Sequence, residues 1–139
     1  VNLTIHGYME KSGEEIPLPP LYKGQTLSQI SEDKTFVLNL IRQTIVNSDK
    51  YDEIIANKAT NWEFDRIAVM DLILMRMGMA EIFEFSSIPL KVTLNEVIEL
   101  AKHFSSPRSS VFINGLLDRT IAEGLKNKTI VKTGRGLIE

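Results

Sequence analysis

The stretch Thr60 to Phe85, TNWEFDRIAVMDLILMRMGMAEIFEF, constrains this chain more than any other part of it. Between Ile67 and Phe83 the apolar run is broken only by Asp71, Arg76, Gly78 and Glu81. At about 100° of rotation per residue, those three charges point in three different directions, so no wide polar face exists. A helix that is apolar nearly all round belongs in the centre of a core. A membrane span needs about 18 residues with few or no charges, and three charges within the run argue against one. Thr60-x-x-Glu63 predicts a capping box at the start of this central helix.

The flanking segments supply partners for such a helix. Residues 1–30 carry Pro17, Pro19, Pro20, Gly13 and Gly24, and IPLPPLY reads as extended chain. Ile16, Leu18, Leu21 and Tyr22 would lay it on the bundle as a strap; its Pro17-to-Pro20 spacing also fits a weak PxxP pattern. A helix is predicted from Ser31, as its cap, to Asn47, with Val37, Leu38, Ile41 and Ile45 as its inward stripe. A second spans 49–59 and presents Tyr51, Ile54 and Ile55. After Pro89, Thr93-x-x-Glu96 predicts a capped helix to Phe104, with Val92 and Val97 as a hydrophobic staple. Ser106 and Pro107 begin the last helix, which runs to about Leu125. Its Asn114-Gly115 pair is unusual, because a mid-helix glycine costs about 1 kcal/mol against alanine; the expectation is a close approach by another backbone. The fold class is therefore all-α: a bundle of about five helices over 31–125, with a basic, loosely ordered tail at 126–139.

Enzymatic chemistry finds few parts here. The absence of cysteine excludes disulfides, thiolate metal sites and a cysteine nucleophile. His103 lies one turn beyond Glu99, a spacing that predicts a surface contact far more than an acid–base pair. No Walker loop, GxSxG turn or glycine-rich dinucleotide motif is present, and no metal or cofactor is expected. Charge, in contrast, is unevenly placed. Residues 102–135 carry seven Lys or Arg against two acids, whereas residues 1–101 carry nine basic and fifteen acidic groups. Within the basic third, Phe104 and Phe112 flank a loop with Ser105, Ser106, Arg108, Ser109 and Ser110, and Lys102 and Arg119 stand on either side. Rings for base stacking, hydroxyls for phosphate or sugar, and cations for the backbone are the parts of a single-stranded RNA site. The free N–H groups of the last helix's first turn add an anion site. The same two phenylalanines also continue apolar stripes and can be read as core.

WEFDRIAVMDLILMRMGMAEI followed by IPLKVTLNEVIELAKHFSSPRSSVFINGLLD resembles the C-terminal two-thirds of the NusB family of bacterial transcription antitermination factors. The most specific pieces are Arg66-Ile67, Arg76, Pro89-x-x-Val92, Asn95-Glu96 with Glu99-x-Ala101-Lys102, and Phe112-x-Asn114-Gly115-x-x-Asp118. The resemblance implies two packed helical bundles and a cytoplasmic protein without enzymatic activity. It further implies binding to the boxA element of ribosomal RNA transcripts with a small-subunit ribosomal protein (NusE), within the transcription elongation complex. Phe104 and Phe112 fall where family members contact RNA. Arg108 stands where an acidic residue is usual, and Val111 where lysine is common. Asp65 and Asp71 occupy acidic positions implicated in the ribosomal-protein interface; an ion pair within the bundle is an equal reading for Asp71. The family's arginine-rich first helix has no counterpart before Ser31, which implies that Val1 begins the C-terminal part of a longer chain. Two alternatives stay open: an accessory domain of a ribosomal RNA methyltransferase, and a purely protein-binding helical scaffold.

Overall fold

The computed structural model describes residues 26–59 and 66–138. The strap expected through Ile16, Leu18, Leu21 and Tyr22, the capping box at 60–63, and Asp65 lie outside the described residues. Among the described residues five α-helices follow one another: α1 (Leu27–Val46), α2 (Ser48–Lys58), α3 (Val69–Glu84), α4 (Leu90–Phe104) and α5 (Pro107–Lys126), then a short 3₁₀ turn, Gly134–Leu137. Among the described residues there is no strand, and no helix is long and apolar enough to cross a membrane. The chain divides into residues 1–34 and 35–139.

In the first unit, α1 starts four residues before the expected Ser31. Thr26 and Gln29 form the capping box: the Gln29 amide N–H reaches Thr26 Oγ1 at 3.4 Å, and Gln29 Oε1 accepts from the Thr26 N–H at 3.1 Å. A Thr-x-x-Gln pair satisfies two orphan N–H groups at once, which a single serine cap does not.

The second unit is built on α3, whose Leu74, Met75, Met79, Ala80 and Ile82 are buried. The three charges of the apolar run each meet a different neighbour. Arg76 donates both Nε and Nη2 to Asp52 of α2, at 2.7 and 2.6 Å. Glu81 accepts from the Thr93 hydroxyl of α4 at 2.7 Å. Asp71 accepts from the Ser105 hydroxyl in the α4–α5 turn. Gly78 provides the close approach: a methyl there would sit 3.1 Å from Val97 of α4 and 3.2 Å from Leu117 of α5. Tyr51 of α2 stacks on Phe83 with ring centroids 6.2 Å apart, and Lys50 lies 4.9 Å above the same ring.

Four expectations are corrected. The α1 stripe Leu38, Ile41 and Ile45 faces outward, 52–66% exposed, with Val37 also exposed; α1 instead turns Leu40 to the core and sets Phe36 edge-on to Phe85 at 5.4 Å. Both stripes are apolar, so only packing chooses between them. Helix α4 begins at Leu90 behind Pro89, so Thr93 is an interior residue facing Glu81 rather than a cap, and Val92 is exposed rather than stapled. Gly115 has nothing within 4 Å of where a Cβ would stand. The tail is docked, not loose: Lys132 Nζ donates to the Phe85 carbonyl at 2.9 Å, and the Thr133 N–H to that of Ser86 at 2.9 Å.

The first prediction follows from the open space at Gly115. Gly115→Ala is expected to stabilise the fold by about 0.5–1 kcal/mol, raising the thermal midpoint. Gly136→Ala should lower it, because its methyl would collide with the Ser86 carbonyl. A second concerns Tyr51. Its hydroxyl is buried without a hydrogen bond, the nearby Asn47 amide being directed to Gln43. Burial and then Glu84 push its phenol up to about 12. An unfolded phenol ionises near 10, so stability is fully present below about pH 10 and is lost as pH rises towards 12. Tyr51→Phe should change neutral-pH stability by less than about 1 kcal/mol and remove this part of the alkaline loss, read from urea unfolding across that pH range.

Candidate nucleic-acid interface

The site is the corner where α4 stops and α5 starts. Ser105 is extended (φ −137°, ψ −166°), which turns the chain out of α4. Ser106 then caps α5: its Oγ accepts from the Ser109 N–H at 3.1 Å, and Pro107 occupies the first turn, where a missing N–H is harmless. The Ser106 and Ser109 hydroxyls lie 2.9 Å apart, and the Ser110 hydroxyl donates to the Pro107 carbonyl at 2.9 Å. The serines thus build the corner first and present their remaining hydrogen-bonding capacity outward.

Phe104 ends α4 with 42% of its surface exposed, and the His103 ring stands edge-on to it at 6.5 Å. An exposed ring at a capped helix start is a stacking surface beside an anion-attracting one. Phe112 is half-buried against the core. It also lines a pocket of about 200 Å³ with Arg66, Ile67, Asp71, Ser106, Arg108 and Ser109. Asp71 is only 6% exposed, so the expectation of an outward, partner-facing charge at this position is corrected. Its carboxylate sits in the first turn of α3, where the helix dipole favours negative charge, and holds Ser105. Asp65 lies outside the described residues.

Along α5 the helical repeat aligns Arg108, Phe112, Gly115 and Arg119 on one face, at i, i+4, i+7 and i+11. Arg108 and Arg119 stand about 16 Å apart along the axis, both exposed. Arg119 Nε donates to the Gly115 carbonyl at 3.1 Å, and the glycine leaves the surface between the arginines low. Val111 is an exposed aliphatic on the adjoining strip.

Not all of the basic third belongs to this corner. Lys102 is exposed but pairs with Glu99 at 2.5 Å, and this ammonium, with a smaller effect from His103, holds the Glu99 carboxyl below its ordinary range. Glu99 therefore answers Lys102 more than His103. Lys126 and Lys128 lie at the other end of α5, about 30 Å from Ser106 by helix rise. The sequence reading assembled Phe104, Ser105, Ser106, Arg108, Ser109 and Phe112, with Lys102 and Arg119 at the margins. It missed Arg66 and Ile67, which only the fold of α3 brings in, and Gly115, which helical periodicity alone could have placed.

Comparison with known proteins places this geometry in context. The NusB family model matches residues 9–122. The transcription antitermination protein NusB of Salinibacter ruber is 40% identical over 112 residues, covering 81% of this chain and 70% of that protein. Its counterpart in Chloroherpeton thalassium is 42% identical over 106 residues, 76% of this chain and 50% of that protein. That of Geobacter sulfurreducens is 37% identical over 117 residues, 84% of each. A solved structure of T. maritima NusB aligns with a TM-score of 0.63 at 29% identity, covering 76% of this chain and 81% of that one.

The corner generates one prediction. Asp71→Ala removes the acceptor of the half-buried Ser105 hydroxyl and should cost about 1–3 kcal/mol in urea unfolding. Asp71→Asn keeps an accepting oxygen and should lose distinctly less.

Proposed function

This chain belongs to the NusB family of transcription antitermination proteins, a non-enzymatic family, and from that premise we propose that its α4–α5 corner binds single-stranded RNA. The proposed target is a boxA-type element of ribosomal RNA transcripts, bound with a small-subunit ribosomal protein (NusE) in the cytoplasmic transcription elongation complex. One observation carries the reading. A half-exposed phenyl ring, Phe104, stands beside the capped start of α5, and the Arg108–Arg119 face leads away from it. Stacking and backbone neutralisation are two of the interactions that unpaired RNA offers to a protein.

The departures at Arg108 and Val111 set what the site should prefer. Arginine at 108 attracts phosphate where an acid would select against it, so binding here should lean on backbone charge. For the protein partner, Asp71 acts by fixing the turn that presents Ser106. The exposed Val69, Met70 and Ile73 at the start of α3 supply apolar surface for contact.

Fluorescence anisotropy with a boxA-type single-stranded RNA at two salt concentrations tests the proposal. Phe104→Ala should weaken binding by about 1–3 kcal/mol, the usual loss for one stacked base. Arg108→Ala should reduce the slope of log affinity against log salt by roughly 0.7. Binding that is undetectable at low salt, or unchanged in both variants, defeats the RNA reading.

A further inference from the structure

Residues 125–138, LKNKTIVKTGRGLI, form a ribbon held down at three points. Ile130 is buried and fills the notch left by Gly124, where a methyl would collide with its side chain. Lys132 turns inward and donates to the Glu81 and Phe85 carbonyls at the end of α3, at 3.4 and 2.9 Å. That position suits a cation, because a helix C-terminus carries partial negative charge. Gly136 lies against the Ser86 carbonyl, and Thr133 bonds Ser86 through its N–H at 2.9 Å and its hydroxyl at 3.1 Å.

With those positions turned in, the others are presented outward. Val131, Leu137 and Ile138 are 61–67% exposed, and Leu125 is also exposed. Interleaved with them, Lys126, Lys128 and Arg135 are exposed cations that make no ion pair among the described residues. No acidic residue occurs between Gly124 and Ile138. A pinned segment that exposes aliphatic side chains among exposed cations has the character of an interface. We infer that this ribbon is a docking surface for an acidic, amphipathic segment of a protein partner. Charge complementarity supplies the sign: three cations call for carboxylates, which steer and register such an encounter. The aliphatic residues decide between protein and nucleic acid. Bases stack chiefly on aromatic rings, and the ribbon has none and a single guanidinium, Arg135, whereas leucine-like side chains of a peptide match Val131, Leu137 and Ile138. The ribbon starts about 30 Å from the RNA corner by the length of α5, so both surfaces can be occupied together.

The test uses the full chain, isotopically labelled and followed by amide chemical shifts. It is titrated with a short helical peptide bearing leucines at third and fourth positions and glutamates elsewhere. The matched lysine peptide and a boxA-type RNA serve as comparisons. The glutamate peptide should shift amides of 125–138 and bind about ten-fold or more tightly than the lysine peptide. Combined Lys126→Glu, Lys128→Glu and Arg135→Glu should abolish that preference, Val131→Ser with Leu137→Ser should weaken binding several-fold, and Phe104→Ala should leave it unchanged. The ribbon side chains changed here are all exposed, so each ribbon variant should stay folded, with only a small fall in thermal midpoint from losing the Lys126 cation at the end of α5. Equal binding of the two peptides, shifts outside the ribbon, or RNA shifting the same amides at lower concentration would overturn the inference. RNA binding at Phe104 is read separately, from the loss of RNA affinity in Phe104→Ala.

Discussion

Three charged side chains set within the oily run of α3 hold this structure in register. Hydrophobic burial by itself is non-directional, and α3 is apolar enough to accept neighbours on almost any side. Asp71, Arg76 and Glu81 remove that freedom. Each hydrogen-bonds a side chain on a different element: Ser105 in the α4–α5 turn, Asp52 on α2, Thr93 on α4. A rotation of α3 that kept its apolar contacts would strand all three, and a buried or half-buried group without its partner costs about 1–3 kcal/mol. The charges thus supply orientation to a core that burial alone would leave loosely specified.

The site inherits its geometry from this arrangement. Ser105 is fixed by Asp71, Ser106 follows it as the cap of α5, and the cap sets where Arg108, Phe112 and Arg119 emerge. A surface for unpaired RNA needs rings and cations held at fixed separations, because a mobile loop would lose affinity to ordering. Gly78 contributes from within, letting α4 and α5 both approach α3. The two ends of α5 therefore serve different purposes: one carries the capped corner, the other the pinned ribbon.

Lys132 illustrates how position alters a charge. By composition it belongs to a basic tail open to any acidic partner. In the structure its ammonium closes the end of α3, and burial pulls its pKa below the ordinary lysine range. Lys102 is likewise committed to Glu99. The net charge of the basic third thus overstates what is available, and Arg108 and Arg119 are what remain of it at the proposed RNA corner.

Read alone, the sequence determined the helical class, the central place of α3, the Ser106–Pro107 start of α5 and the grouping of serines and phenylalanines around it. These features are local: periodicity and capping act over a few residues, and each is written in consecutive side chains. It could not choose which apolar face of α1 turns inward, because Leu38-Ile41-Ile45 and Phe36-Leu40 both satisfy a helical stripe. Nor could it show that Thr93 would face Glu81 instead of capping a helix, that Gly78 rather than Gly115 marks the tight crossing, or that the tail is tied to Ser86. Those outcomes rest on contacts between residues far apart in the chain, where what a side chain meets depends on the packing of helices it does not belong to.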